Sequence, residues 1–98
     1  MRVHGLHELS AANARQFRNT VSAALAPELH QIDIDLSQTA SVDSSGLGAL
    51  LTVHRAANEL NRNGGVGVRL LHPQPAVLQV FELTRMHHLF EIVSTAAE

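Results

Sequence analysis

The stretch QIDIDLSQTASVDSSGLGALL, residues 31–51, decides how the chain is read. In its first half Ile32, Ile34 and Leu36 alternate with Asp33 and Asp35, the two-residue period of a strand with one buried and one polar face. Further on, Leu47, Leu50, Leu51, His54, Ala57 and Leu60 recur at the three- and four-residue spacing of a helix. Asp43, Ser44, Ser45 and Gly46 lie between the two patterns, in the strand-to-helix turn where α/β proteins commonly carry functional groups. Local chemistry explains part of this turn. Asp43 or Ser44 caps the helix by accepting hydrogen bonds from its first free N–H groups, and Gly46 lets the backbone turn tightly. A cap needs neither the second hydroxyl nor glycines at 46 and 48 in the first helical turns, where each costs roughly 1 kcal/mol relative to alanine. Small residues there let another protein's backbone approach closely.

Downstream, the helical spacing continues to Asn63, and Gly64 and Gly65 close it, one of them taking the left-handed conformation. Val66, Val68 and Leu70 then alternate with Gly67 and Arg69 as a second core strand. Pro73 and Pro75 mark the next turn, with Pro75 in the first turn of a helix through Val77, Leu78 and Phe81. A last apolar run at residues 89–93 reads as a strand or helical turn that closes the core. Upstream, Phe17, Val21, Ala24 and Leu25 predict a helix over residues 10–26, with Ser10 as N-cap and Pro27 as its stop. The opening MRVHGLHEL holds a short strand around Val3. Strand and helix alternate throughout, and parallel strands require long crossover connections. The fold class is therefore α/β: a small β-sheet with parallel neighbours and crossover helices packed against it.

At 98 residues the chain is one domain, residues 1–98, with no internal repeats or linkers. A hydrophobic fraction of 45% against 16% charged residues is that of a globular protein rather than a disordered one. Aromatic residues make up 3% and are all Phe, so base stacking has little to work with. A net charge of -2 gives no electrostatic reason to bind nucleic acid or anionic lipid. All seven basic residues are Arg, which leaves no lysine for Schiff-base chemistry, and the absence of Cys excludes disulfides and thiol nucleophiles. No signal-peptide pattern or membrane-length apolar run is present, so a soluble cytoplasmic protein without membrane insertion is expected.

Other candidate chemistry is thin. Asp33 and Asp35 point to one side of their strand, where alternation alone explains them as a solvated face. Seven histidines, with His4 near His7 and His87 beside His88, invite a metal hypothesis. Without Cys, an HExxH motif or convergent carboxylates, they read as scattered surface and packing residues, so no metal or cofactor is expected. The serines lack the G-x-S-x-G frame of a nucleophile elbow. Gly64, Gly65 and Gly67 follow a helix and enter a strand, the reverse of a phosphate-binding loop. A small-ligand or enzymatic reading needs a polar pocket beside the turn into which His54 or Asp35 would point. His54 fits better as a packing residue of its helix.

The stretch IDIDLSQTASVDSSGLGALLTVHRAANELNRNGGVGVRLLHPQPAVLQVFELTRMHHLFEIV, residues 32–93, resembles the STAS domain of bacterial anti-sigma factor antagonists. The resemblance runs through the alternating strand, the DSSGLG turn, the GG before the next strand, the Pro-rich turn and the final LFEIV. It leaves the family's usual first strand without a counterpart. Where the family often has Gly after Ser or Thr in the final turn, this chain reads Thr84-Arg85-Met86.

The resemblance implies a switch and not an enzyme. Its phosphoacceptor is the serine directly after the Asp, here Ser44, and the partner surface comprises Asp43, Ser44, Ser45, Gly46 and Leu47. The unphosphorylated form binds an anti-sigma factor that is also a serine kinase, phosphorylation blocks that binding, and a PP2C-type phosphatase resets it. The alternative is a constitutive STAS accessory subunit docking on the ATPase of an ABC-type phospholipid transporter, or on another signalling complex. Ser44 then serves as a cap and interface residue.

Overall fold

The computed structural model describes residues 1–25, 29, 31–60 and 67–93. In chain order they form β1 (Arg2–Val3), β2 (Glu8–Leu9), α1 (Ala14–Ala24), β3 (Gln31–Asp35), β4 (Ser41–Val42), α2 (Ser44–Leu60), β5 (Gly67–Leu71), α3 (Pro75–Leu83), a single 3-10 turn (Met86–His88) and β6 (Glu91–Val93). The main sheet has the order β1-β3-β5-β6, and every pairing in it is parallel. β2 and β4 pair separately, also in parallel, with Leu9 opposite Val42. The expected α/β architecture is thus the observed one, with a helix inside each crossover of the main sheet.

The alternation in β3 sets the two sides of the sheet. Ile32 and Ile34 are fully buried, in register with Val68 and Leu70. They share one core with Phe17 and Val21 of α1, Leu50, Val53 and Ala57 of α2, and Val77 and Phe81 of α3. Full burial of one such side chain stabilises the fold by roughly 1.5–3 kcal/mol. The opposite side carries charge of alternating sign in register: Arg2 lies opposite Asp33, Asp33 opposite Arg69, and Arg69 opposite Glu91. Arg69 grips Asp33 with a fork, Nε to Oδ1 at 2.9 Å and Nη2 to Oδ2 at 3.1 Å, and Arg2 donates to Asp35 at 3.1 Å. Asp33 and Asp35 therefore lie on the polar side of the sheet as the alternation predicts, but each is half-buried and ion-paired rather than simply solvated.

Some boundaries differ from the sequence reading. α1 begins at Ala14 rather than at Ser10, because side-chain bonds hold residues 11–13 in a separate turn. Ser10 Oγ accepts from the Ala12 N–H at 3.2 Å, Asn13 Oδ1 accepts from the Ser10 N–H at 2.9 Å, and Asn13 Nδ2 donates to the Glu8 carbonyl at 2.7 Å. Ser10 thus caps a turn instead of the helix. α1 ends at Ala24 as Leu25 becomes extended, and Ala26 and Pro27 lie outside the described residues. Asn63, Gly64, Gly65 and Val66 lie outside them as well. α3 begins at Pro75 as expected, and the closing run becomes β6, with Phe90 buried and Leu89 exposed. After α3, Arg85 takes φ 62°, the left-handed conformation that glycine adopts most easily. Among the described residues no helix is long and apolar enough to cross a membrane.

Candidate functional site

The short β2–β4 sheet sets the site. Pairing β2 with β4 lays Leu9 beside the entry to α2, where the Leu9 carbonyl accepts from the Asp43 N–H at 3.1 Å. Thr39, the one buried polar residue among those described, ties the same segment down by donating from Oγ1 to the Leu6 carbonyl at 2.6 Å. Asp43 then starts α2. Its carbonyl accepts the Leu47 N–H at 2.9 Å, its Oδ1 accepts the Gly46 N–H at 3.0 Å, and its Oδ2 reaches the Ala11 N–H at 3.2 Å. Asp43, rather than Ser44, is the cap. The Gly46 N–H, followed by the Ala11 N–H, holds its carboxyl below the ordinary value of 3.8 despite some opposing desolvation.

With the cap assigned to Asp43, both serines are left free. Ser44 and Ser45 are exposed at the first two positions of α2, and neither hydroxyl makes a hydrogen bond among the described residues. Leu47 is half-buried and packs against the core. Gly46 is buried, and its backbone does not have positive φ, so a tight turn is not what requires glycine there. A Cβ at 46 would run into the Leu9 carbonyl oxygen and lie 2.6 Å from its carbon. Glycine at 46 thus admits this chain's own β2 and lies beneath the partner surface expected of Asp43, Ser44, Ser45, Gly46 and Leu47. At Gly48 a Cβ would meet nothing within 4 Å, so the fold itself does not need glycine there.

Beside the serines runs a groove of about 470 Å³ between α1 and α2. Ala11, Ala14, Arg15 and Arg18 form one wall, and Ser45, Gly48, Ala49 and Thr52 the other. The sequence reading missed the first wall. Its only trace there was the spacing of Ala14, Arg15 and Arg18 on one face of α1. His54 and Asp35 do not line this groove. His54 packs edge-on against Phe90 with ring centroids 5.2 Å apart, and Asp35 faces Arg2 and the Ser37 N–H on the open side of the sheet. His4 and His7 line a second groove of about 410 Å³ with Glu8, Asn13 and Phe17. The His87 and His88 rings lie 4.1 Å apart. Among the described residues, no three His, Asp or Glu side chains gather as a metal site.

A small parallel sheet, crossover helices and an aspartate-capped, serine-bearing helix start define a STAS-type domain. The profile of the Mlab STAS domain family matches residues 2–94, and the chain belongs to the STAS domain family. Among solved structures it is similar to a candidate anti-sigma factor antagonist from Thermotoga maritima. The two are 25% identical with a TM-score of 0.78, over 96% of this chain and 78% of the other. It is also similar to the anti-sigma factor antagonist SpoIIAA in its unphosphorylated form, at 25% identity and a TM-score of 0.65, over 97% and 77% of the two chains. A search of curated proteins by sequence finds no match.

Proposed function

We propose that this protein is a phosphorylation-controlled binding module of the anti-sigma factor antagonist kind, acting in the cytoplasm and without catalytic activity of its own. The unphosphorylated form binds an anti-sigma factor with serine kinase activity through the outer side of the first turns of α2. Phosphorylation at Ser44 ends that binding, and a PP2C-type phosphatase restores it. The observation that carries this reading is the Ser44 hydroxyl, exposed and unbonded directly after an aspartate whose carboxylate is fully engaged as the cap. The likeness to SpoIIAA, an antagonist described in its unphosphorylated form, supports it.

A phosphoserine adds roughly two negative charges at neutral pH. At position 44 they would stand next to the anionic Asp43 and in the middle of the docking surface. Like-charge repulsion and desolvation of the phosphate then oppose binding, while the positive end of the α2 dipole tolerates the anion without unfolding. The test incubates the purified chain with ATP and a purified anti-sigma factor that has serine kinase activity. Phosphoryl transfer to Ser44 is expected, with loss of the complex between the two proteins. Equal labelling of position 44 by other means is excluded by mapping the site, and undiminished labelling and release in Ser44→Ala would overturn the reading.

The family profile supports a second reading, because it describes an Mlab STAS domain rather than an antagonist. On that reading the same surface docks constitutively on the ATPase subunit of a phospholipid transporter. Co-purification with that subunit, unaffected by Ser44→Asp, distinguishes it from the switch.

A further inference from the structure

Ser44 and Ser45 face different surroundings although they are adjacent. Ser45, Gly48, Ala49 and Thr52 follow the three- and four-residue spacing of one helical stripe, and this stripe forms a wall of the groove opposite Arg15 and Arg18. Ser44 is one residue out of phase with it and does not line the groove. Arg69 and Arg2 are held by Asp33 and Asp35 on the sheet. Arg15 and Arg18, by contrast, have no carboxylate partner among the described residues. The rest of the lining is small: Ala14 and Ala49 are both buried, and at Gly48 a Cβ would meet nothing within 4 Å, so Arg15, Arg18, Ser45 and Thr52 supply the polar side chains of the groove.

We propose that this groove is a receptor for a phosphate carried on Ser45, with Arg15 and Arg18 binding its oxygens. Two guanidinium groups opposite a phosphoserine match the pattern in which phosphorylation creates charge-assisted hydrogen bonds and docks one element on another. The modification is an ordinary transfer from a nucleoside triphosphate by a serine kinase. The bond from Ser45 Oγ to the γ-phosphorus forms, the bond from that phosphorus to the β–γ bridging oxygen breaks, the hydroxyl proton passes to the kinase's base, and the nucleoside diphosphate leaves. The two serines then have opposite consequences. A phosphate on Ser44 remains on the outer surface as uncompensated charge, whereas one on Ser45 is neutralised, fills the groove and ties α1 to α2. The inference does not require Ser44 to be an acceptor.

The test installs phosphoserine at position 45 or, separately, at position 44 of the full chain during translation, and follows each phosphate by 31P NMR titration. A free phosphoserine has a second pKa of about 6, and the arginine pair is expected to lower the value at position 45 by about one unit. Arg15→Gln with Arg18→Gln is expected to remove that shift, while Arg55→Gln leaves it in place. At position 44 the double change should have less than a third of the effect. Circular dichroism of each variant confirms that the comparison is between folded proteins, as expected for substitutions at Arg15 and Arg18 on the surface of α1. A position-45 titration insensitive to the arginine pair overturns the proposal. So does an equal dependence at both positions, since that would be a general field and not a receptor. Neither result bears on kinase labelling of Ser44, so this proposal and the switch reading fail separately.

Discussion

The inner and outer sides of the first turns of α2 have the same kinds of residue and opposite duties. On the inner side Asp43 and Gly46 are committed to the fold: the carboxylate bonds two backbone N–H groups, and the missing Cβ admits the Leu9 carbonyl. On the outer side Ser44, Ser45 and Gly48 touch nothing that needs them. A glycine or a small polar residue has no fixed meaning in a motif of this kind. What lies over it decides whether it serves packing or recognition.

The contrast breaks first, if it breaks, at the glycines. Gly46→Ala should destabilise the protein by about 3 kcal/mol, the upper range for forced overpacking, because backbone and not a movable side chain meets the new Cβ. Urea denaturation measures this, and an unchanged midpoint would show that β2 does not press on α2. Asp43→Ala should have the next largest effect, lowering the urea midpoint through loss of the cap and of the link to Ala11.

The carboxylates engaged by the fold also predict a pH dependence. A carboxylate whose pKa is lowered by folding contributes stability above its unfolded value and loses it as pH falls through the folded value. Asp43 is depressed chiefly by the Gly46 N–H, and Asp33 by its hydrogen bond to Arg69. Asp35 is lowered to about 2, chiefly by the Ser37 N–H and then the Ser37 side chain, with Arg2 adding to it. Stability should therefore hold down to about pH 4 and fall steadily toward pH 2. The difference between wild type and Asp43→Asn should narrow over that range, and a constant difference would show that the cap does not depend on charge.

The outer side gives the smallest effects, one with the opposite sign. Gly48→Ala should stabilise the fold by about 1 kcal/mol, since an exposed helical glycine is replaced where nothing obstructs a Cβ. If Gly48 serves close approach of a partner, the same variant binds that partner less tightly while melting at a higher temperature. Ser44→Ala should change stability by less than about 0.5 kcal/mol, so any loss of switching in it is not a loss of fold.

Much of this architecture was legible because it is local. Ile32, Ile34 and Leu36 alternate in the sequence as they do in burial, and Pro75 marks a helix start whose backbone rule involves only its neighbours. The start of α1 was misplaced for a local reason of another kind. Ser10 looks like an N-cap, but Asn13 competes for the same backbone and winds residues 11–13 into a separate turn. At the site, the residue types pointed to Asp43 and the serines, while the reason for Gly46 was misread. Its neighbour, the Leu9 carbonyl, belongs to a different crossover, and no periodicity spans that distance.

By itself the sequence determined the alternation of strand and helix, the polar and apolar sides of β3, and the capped, serine-bearing turn. Each follows from side-chain period or from hydrogen bonds within a few residues. Only the tertiary structure decided that Asp43 and not Ser44 is the cap, that Gly46 is structural while Gly48 is open, and that Ser45 shares a groove with Arg15 and Arg18. The pairing of β2 with β4 joins segments more than thirty residues apart. Packing of α1 along α2 then sets which side of the turn is covered and which remains available.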